Sequence, residues 1–337
     1  MGKADMEAGI YIYAFNFMDR NTAKPMSRNL IMIPSWIGDC VLALSVVHNK
    51  ILNENADVAL LVPPHLVSLC AQLTSFTIIP YKRKTRGELH ATLTTVKAKK
   101  FSKVYVLPQS FSSAWFSFRS RIKLRRGVSR ELREIFFNEP LPRKLRTSAR
   151  HITYEYALVL ETAYSPPDYW PGVWIDKSAL SAGAIILCPG SKYGPTKKWP
   201  WYSELVEKLP EKKIILLGDK DERETGEAIE NSSNDRVLNL IGKTSLTEAA
   251  SLIAGSRLVI ANDSGLMHLA GFVGTPVVGI FGSTSAAWTR PLGKKTRIAA
   301  TKCGCDPCFR KKCRHGHYNC LKNITADQVA GLARQLL

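Results

Sequence analysis

The chain has 337 residues, 45% hydrophobic and 22% charged, a globular balance long enough for two domains with separate cores. That balance excludes a disordered or fibrous protein, and no apolar run approaches the ~20 residues needed to cross a bilayer as a helix. The formal net charge is +19, and it is concentrated. Over residues 81–150, nineteen Lys and Arg stand against four Asp and Glu, a surplus of +15 that favours a polyanionic partner: nucleic acid, an anionic leaflet or a phosphorylated substrate.

Residues 1–28 carry "GIYIYAFNF" but neither a basic start nor a small-residue cleavage site, so no signal peptide is read there. They are taken as an extension outside the core, with Met18 and Met26 as alternative starts. Short β-rich apolar runs then alternate with amphipathic segments, as in parallel sheets wound with helices. Strands are predicted at 29–34, 58–63, 76–81 and 103–108, with a helix from about Asp39 to Asn53. "SPPDYWPGVW" breaks the pattern and marks a linker over 165–182. A second series follows at 183–190, 212–218, 237–242, 257–263 and 276–282, and "ADQVAGLARQLL" ends the chain as a helix. The economical reading is an α/β protein of two Rossmann-like domains, 29–164 and 183–322, with a terminal helix over 323–337.

Ligands of open α/β sheets bind beyond the carboxyl ends of the strands, so the residues after each run matter most. After the first strand, "PSWIGDCVLAL" (34–44) places Gly38 for a tight turn and Asp39 where a helix begins. Asp39 is then either a helix cap or a general base aimed into the cleft, and spacing alone leaves both open. The loop "CPGSKYGPTKKWP" (188–200) joins Gly190, Ser191 and Gly194, for close backbone approach, to the charges of Lys192, Lys197 and Lys198. It is neither a Walker loop nor a GxGxxG motif, yet it suits a phosphate. In "NDSGLMHLAG" (262–271), a helix starting at Ser264-Gly265 would offer free N–H groups to an anion. Asp263 and His268 would gather around it, and Gly265 would leave room for the ligand.

Together "PSWIGD" (34–39), "YVLPQSFSSA" (105–114), the 188–200 loop and "NDSGLMHLAG" occur in the order found in the lipopolysaccharide heptosyltransferases. The chain resembles that family over roughly residues 29–337, and most closely its type II members. The resemblance implies a GT-B fold, two Rossmann-like domains facing a cleft, with the terminal helix packing back on the first. It implies inverting transfer of L-glycero-D-manno-heptose from ADP-L-glycero-D-manno-heptose to a heptose of the lipopolysaccharide inner core. Asp39 matches the family's general base and Lys197 its leaving-group lysine. Gly190, Ser191, Asp263, Ser264, Gly265 and His268 match donor contacts, with Ser264 where many relatives have Thr. Trp36, Gln109, Ser110 and Phe111 fall on the sugar side. The stretch 218–223 and Thr244 lie where relatives touch the nucleoside.

A lysine and a helix N-terminus can stabilise a departing diphosphate, so no cofactor or metal is expected. Cys303, Cys305, Cys308, Cys313 and Cys320 crowd one segment with His315 and His317. Reduced surface thiols are the expectation there, with a metal set chosen from them as the second reading. The basic surplus fits a phosphorylated, membrane-embedded acceptor and an anionic inner-membrane surface. The resemblance implies a cytoplasmic enzyme, peripheral at the inner face of the inner membrane, with the oligomeric state left open and a monomer favoured. Another GT-B sugar-nucleotide transferase, of heptosyltransferase I or III type, is the nearest alternative. A basic nucleic-acid binder is the alternative of another class, and it lacks any RNP, GXXG or helix-turn-helix pattern. An NAD-dependent oxidoreductase fails for want of its glycine fingerprint.

Overall fold

The computed structural model describes residues 28–337 apart from 55–56, 131, 143–149, 210–212, 234 and 306. Apart from Arg28, the expected N-terminal extension lies outside the described residues. The first domain carries strands β1 (Asn29–Met32), β2 (Val58–Val62), β3 (Thr77–Pro80), β4 (Lys103–Val106), β5 (Leu124–Val128) and β6 (Glu139–Leu141). Its helices are α1 (Ile37–Glu54), α2 (Val67–Leu73), α3 (Arg86–Ala98), α4 (Phe111–Arg119) and α5 (Ile152–Leu160). The second carries β7 (Ile185–Cys188), β8 (Ile214–Leu216), β9 (Val237–Asn239), β10 (Leu258–Asn262), β11 (Val277–Phe281) and β12 (Thr296–Ala300). Helices α6 (Tyr202–Lys208), α7 (Arg223–Asn231), α8 (Leu246–Gly255), α9 (Gly265–Val273), α10 (Ala286–Thr289), α11 (Asn319–Lys322) and α12 (Ala326–Arg334) complete it.

Each sheet has six parallel strands among the described residues, ordered β3-β2-β1-β4-β5-β6 and β12-β11-β10-β7-β8-β9. Counted from its own first strand, each follows the order 3-2-1-4-5-6, which reverses direction between strands 1 and 4. Strands β1, β2, β7, β8, β10 and β11 are buried on both faces, which is why they read as unbroken apolar runs.

Strand β5 escapes such a reading because it is "LRRGV". Its arginines turn inward to fixed partners. Arg125 Nε donates to the Phe136 carbonyl at 2.8 Å, and Arg126 donates to the Leu158 and Val159 carbonyls while facing Glu139 and Glu161. Arg133, fully buried, donates to the carbonyls of Val128 and Pro108. Part of the basic surplus is therefore structural and leaves fewer charges for a partner. Strands β6 and β12 also lay outside the expected set, being short or carrying only a weak apolar signal.

Helix α12 corrects another expectation. Its main packing among the described residues is on α6, β11 and β12 of the second domain. A Thr325–Gln328 capping box starts it, and Val329, Ala330 and Ala333 then join Trp199, Tyr202 and Leu205 in that domain's outer core. Small residues along its inner face suit this close approach.

The domains share one continuous apolar core through α1 against α9 and α2 against α8. The proline-rich linker is part of this joint: Trp170 stacks on Phe272 with centroids 5.0 Å apart and donates from Nε1 to the Phe272 carbonyl. His151 closes it from the other side. Its Nε2–H donates to the Arg290 carbonyl at 3.0 Å, so its Nδ1 accepts from Thr153.

Candidate active site

Residues beyond both direction reversals come together where the first turns of α1 and α9 meet. Residues after β1 and β4 bring Pro34–Asp39 and Leu107–Ser110, while those after β7 and β10 bring Pro189–Lys197 and Asp263–His268.

Helix α1 begins at Ile37, two residues before the expected start, so Asp39 lies in its first turn, past the cap position. The Trp36 carbonyl accepts from Cys40 N at 2.8 Å and fixes that turn. Asp39 lines a cavity of about 730 Å³ with Trp36, Gln109 and Ser110, against His65 and the cations Lys82, Arg83 and Lys84. Trp288 of the second domain closes one wall. Gln109 is locked: its Nε2 donates to Glu155 Oε1 at 2.9 Å, and Arg130 donates to its Oε1 and, at 2.9 Å, to Glu155 Oε2. Ser110 both lines the cavity and caps α4 by accepting from Ser113 N. Phe111 departs from its expected place. It is half exposed and set edge-on to Phe136 at 5.1 Å, outside the cavity wall.

On the other side Asp263 is buried, with three partners converging on it. Lys197 Nζ lies 2.5 Å from Oδ2, Thr284 Oγ1 donates to the same oxygen at 2.5 Å, and His268 Nε2 stands 3.6 Å from Oδ1. Burial pushes this carboxyl up, but His268 and Lys197 outweigh it and hold the group at about 2. Lys197 also sits 4.7 Å from the Tyr193 ring centroid. Ser264 occupies the cap position of α9; its carbonyl accepts from His268 N at 3.4 Å, but its side chain makes no cap bond and leaves the first N–H groups uncapped by it. Ser191 Oγ accepts from Tyr193 N at 3.3 Å and steadies the lysine loop.

Several glycines serve reasons other than those expected. A Cβ on Gly38 would lie 2.5 Å from His268 Cδ2, and one on Gly265 would lie 2.8 Å from Ile37 Cβ. They let α1 and α9 meet end to end, so the space beside Gly265 is taken by Ile37. Gly38 makes no turn. At Gly190 the space belongs to the buried Glu222, whose carboxyl burial pushes up. Lys192 turns away from Lys197 to Asp219 and Asp221, at 3.1 and 3.5 Å.

The cysteine-rich segment lies over the lysine loop. The Phe309 carbonyl accepts from Tyr193 Oη and the Arg310 carbonyl from Thr196 Oγ1, each at 2.5 Å. Gly194, at φ +140°, admits the Lys311 carbonyl where a Cβ would lie 2.6 Å away. Cys303 and Cys305 Sγ stand 3.4 Å apart, and no three potential ligands converge among the described residues. Thr284, Trp288 and Glu155 went unrecognised in the sequence, being single residues without a motif that the fold places; Tyr193 lies within the 188–200 motif but was not singled out.

The model of glycosyltransferase family 9 (heptosyltransferase) matches residues 89–319. Lipopolysaccharide heptosyltransferase 2 of Escherichia coli is 28% identical, covering 89% of this chain and 95% of its own. Lipooligosaccharide heptosyltransferase 2 of Haemophilus ducreyi is 30% identical, covering 91% and 99%. The solved E. coli ADP-heptose heptosyltransferase II superposes with a TM-score of 0.77 at 27% identity, over 92% of this chain and 98% of that one. The E. coli heptosyltransferase WaaC with ADP shares the fold at a TM-score of 0.73. Two Rossmann-like domains meeting at their strand ends thus carry a family-wide match, and the chain belongs to glycosyltransferase family 9, the heptosyltransferases.

Proposed function

We propose that the chain is an inverting transferase that moves L-glycero-D-manno-heptose from its ADP donor to a heptose of the lipopolysaccharide inner core. The observation that carries this is the Lys197–Asp263–His268 cluster at the end of β10, set against the α1 turn that bears Asp39. In this reading the donor diphosphate meets Lys197, Ser191 and the N–H groups of α9 at Ser264 and Gly265. Glu222, between Gly190 and Gly218, faces the nucleoside. The acceptor sugar enters the cavity beside Gln109, Ser110 and Trp36.

The reaction needs two groups. Asp39 takes the proton of the acceptor hydroxyl as its oxygen attacks the anomeric carbon. The glycosyl–phosphate bond breaks from the opposite face, its electron pair leaves on ADP, and Lys197 with the helix N-terminus stabilises the growing charge. Asp263 holds the lysine ammonium in position for that charge. The lipid-anchored acceptor would place the enzyme at the cytoplasmic face of the inner membrane.

Calorimetric titration with ADP and UDP in EDTA, followed by turnover of ADP-heptose on a heptosylated inner-core acceptor, tests the reading. Selective ADP binding and heptose transfer in EDTA are expected. Equal binding of the two nucleotides, or transfer abolished by EDTA, would contradict it.

A further inference from the structure

The first domain presents apolar side chains to solvent beside the cavity. Leu132 is 76% exposed and Ile135 72%, with Phe111 and Phe118 half exposed next to them. These are one patch. Helix α4 packs on the 3-10 turn Arg133–Phe136, and Phe136 meets the rings of Phe111 and Phe118 at 5.1 and 5.7 Å. Leu132 is held at φ +60°, a left-handed conformation that a leucine rarely adopts. Beneath it, buried Arg133 bonds three carbonyls, those of Val128, Pro108 and Ser110, so the knob is rigid.

Cations surround the patch. Arg119, Arg121 and Lys123 are exposed, and Arg119 lies over the Trp115 ring. Glu134 is the acid carried by the same turn. Apolar knobs in a basic surround match a surface that is anionic at its headgroups and apolar below. Helix α4 also supplies Ser113 to the cavity wall, and Ser110 before it lines the same wall. The patch therefore stands next to the opening that takes the acceptor.

We propose that α4 and the turn Arg133–Phe136 dock the enzyme on an anionic lipid bilayer, inserting Leu132 and Ile135. This rests on the reading that the acceptor is membrane-embedded. Docking there would keep the acceptor's lipid in the bilayer while its sugars reach Asp39.

The test is sedimentation of the full chain with vesicles of phosphatidylglycerol and phosphatidylethanolamine, and with vesicles of phosphatidylcholine alone. The wild-type chain is expected to bind the anionic vesicles selectively. The double variant Leu132→Glu/Ile135→Glu and the pair Arg119→Glu/Lys123→Glu should each lose at least about tenfold in affinity. The Leu132→Glu/Ile135→Glu variant should keep its rate on a delipidated, water-soluble acceptor and lose rate on the same acceptor in vesicles. Equal binding to both vesicle types, or full binding by the double variant, would overturn the proposal. So would a wild-type dimer in analytical ultracentrifugation that the double variant breaks without any vesicle binding, which would make the face an interface between copies. Selective vesicle binding by the wild type that the double variant loses, with no heptose transfer by either, would sustain docking while removing the proposed reaction.

Discussion

The Lys197 ammonium lies 2.5 Å from the Asp263 carboxylate and 4.7 Å from the Tyr193 ring centroid, so its position is set before any donor arrives. A charge fixed in place costs little reorganisation when the diphosphate departs. Lys197→Ala is expected to lower kcat by about 10²–10³-fold and to weaken ADP binding. Steady-state kinetics with an unchanged kcat would remove it from the leaving-group site. On the proposed acceptor side, Gln109 cannot flip, because Arg130 requires an oxygen and Glu155 an N–H. Glu155→Ala leaves Arg130 without its buried partner, and we expect a loss of about 3–5 kcal/mol in denaturant unfolding. A loss below about 1 kcal/mol would show that the pair is effectively solvated. The sequence carried Asp39, Lys197, Asp263, Ser264 and His268 in motifs. It could not carry Glu155 or Thr284, whose partners lie 46 and 21 residues away along the chain.

At the scale of elements, two glycines let two helix starts meet. Gly38 and Gly265 read in the sequence as a turn and as room for a ligand, because a glycine's neighbour across a domain joint has no local signature. The structure assigns them to the α1–α9 approach. Gly38→Val must displace His268 and part the helices. It is expected to cost about 1–3 kcal/mol and to lower the rate of transfer, measured together by thermal unfolding and turnover. Wild-type turnover in that variant would mean that the approach of α1 to α9 does not matter for the reaction. Most strands were legible through their two-faced burial. Strand β5 was not, since Arg125 and Arg126 look solvated until their carbonyl and carboxylate partners are seen. The terminal helix was legible as a helix, but its periodicity could not say which sheet receives its small residues.

For the whole molecule, the shared core and the imidazoles packed into it, His48 partly and His151 fully buried, couple stability to pH. Burial lowers His48 to about 4, and burial, with His268 and Arg290 nearby, lowers His151 to about 4. His48 is ringed by Phe76, Trp170 and Phe272 at the domain joint. Both groups titrate near 6.5 when unfolded. Between about pH 6.5 and about pH 4 the unfolded chain binds protons that the folded chain does not, so stability falls as pH falls through that window. Urea unfolding at neutral pH and at about pH 5 should show a loss of a few kcal/mol, roughly halved in His48→Phe. Equal stability at the two pH values would mean that the imidazoles reach solvent. Two domains, their order and their crevice followed from alternating runs and strand-end motifs. Their closeness did not, because it depends on pairs such as Trp170 with Phe272 across the linker.

In the proposed reaction the carboxylate of Asp39 deprotonates the acceptor opposite a prearranged leaving-group site. The most direct measurement compares Asp39→Asn with the wild type for heptose transfer, with ADP-heptose affinity determined by calorimetry on the same samples. A fall in kcat of about 10²–10⁴-fold at nearly unchanged donor affinity is the predicted result. Turnover within a few-fold of wild type would contradict the account and leave Asp39 as a first-turn residue of α1.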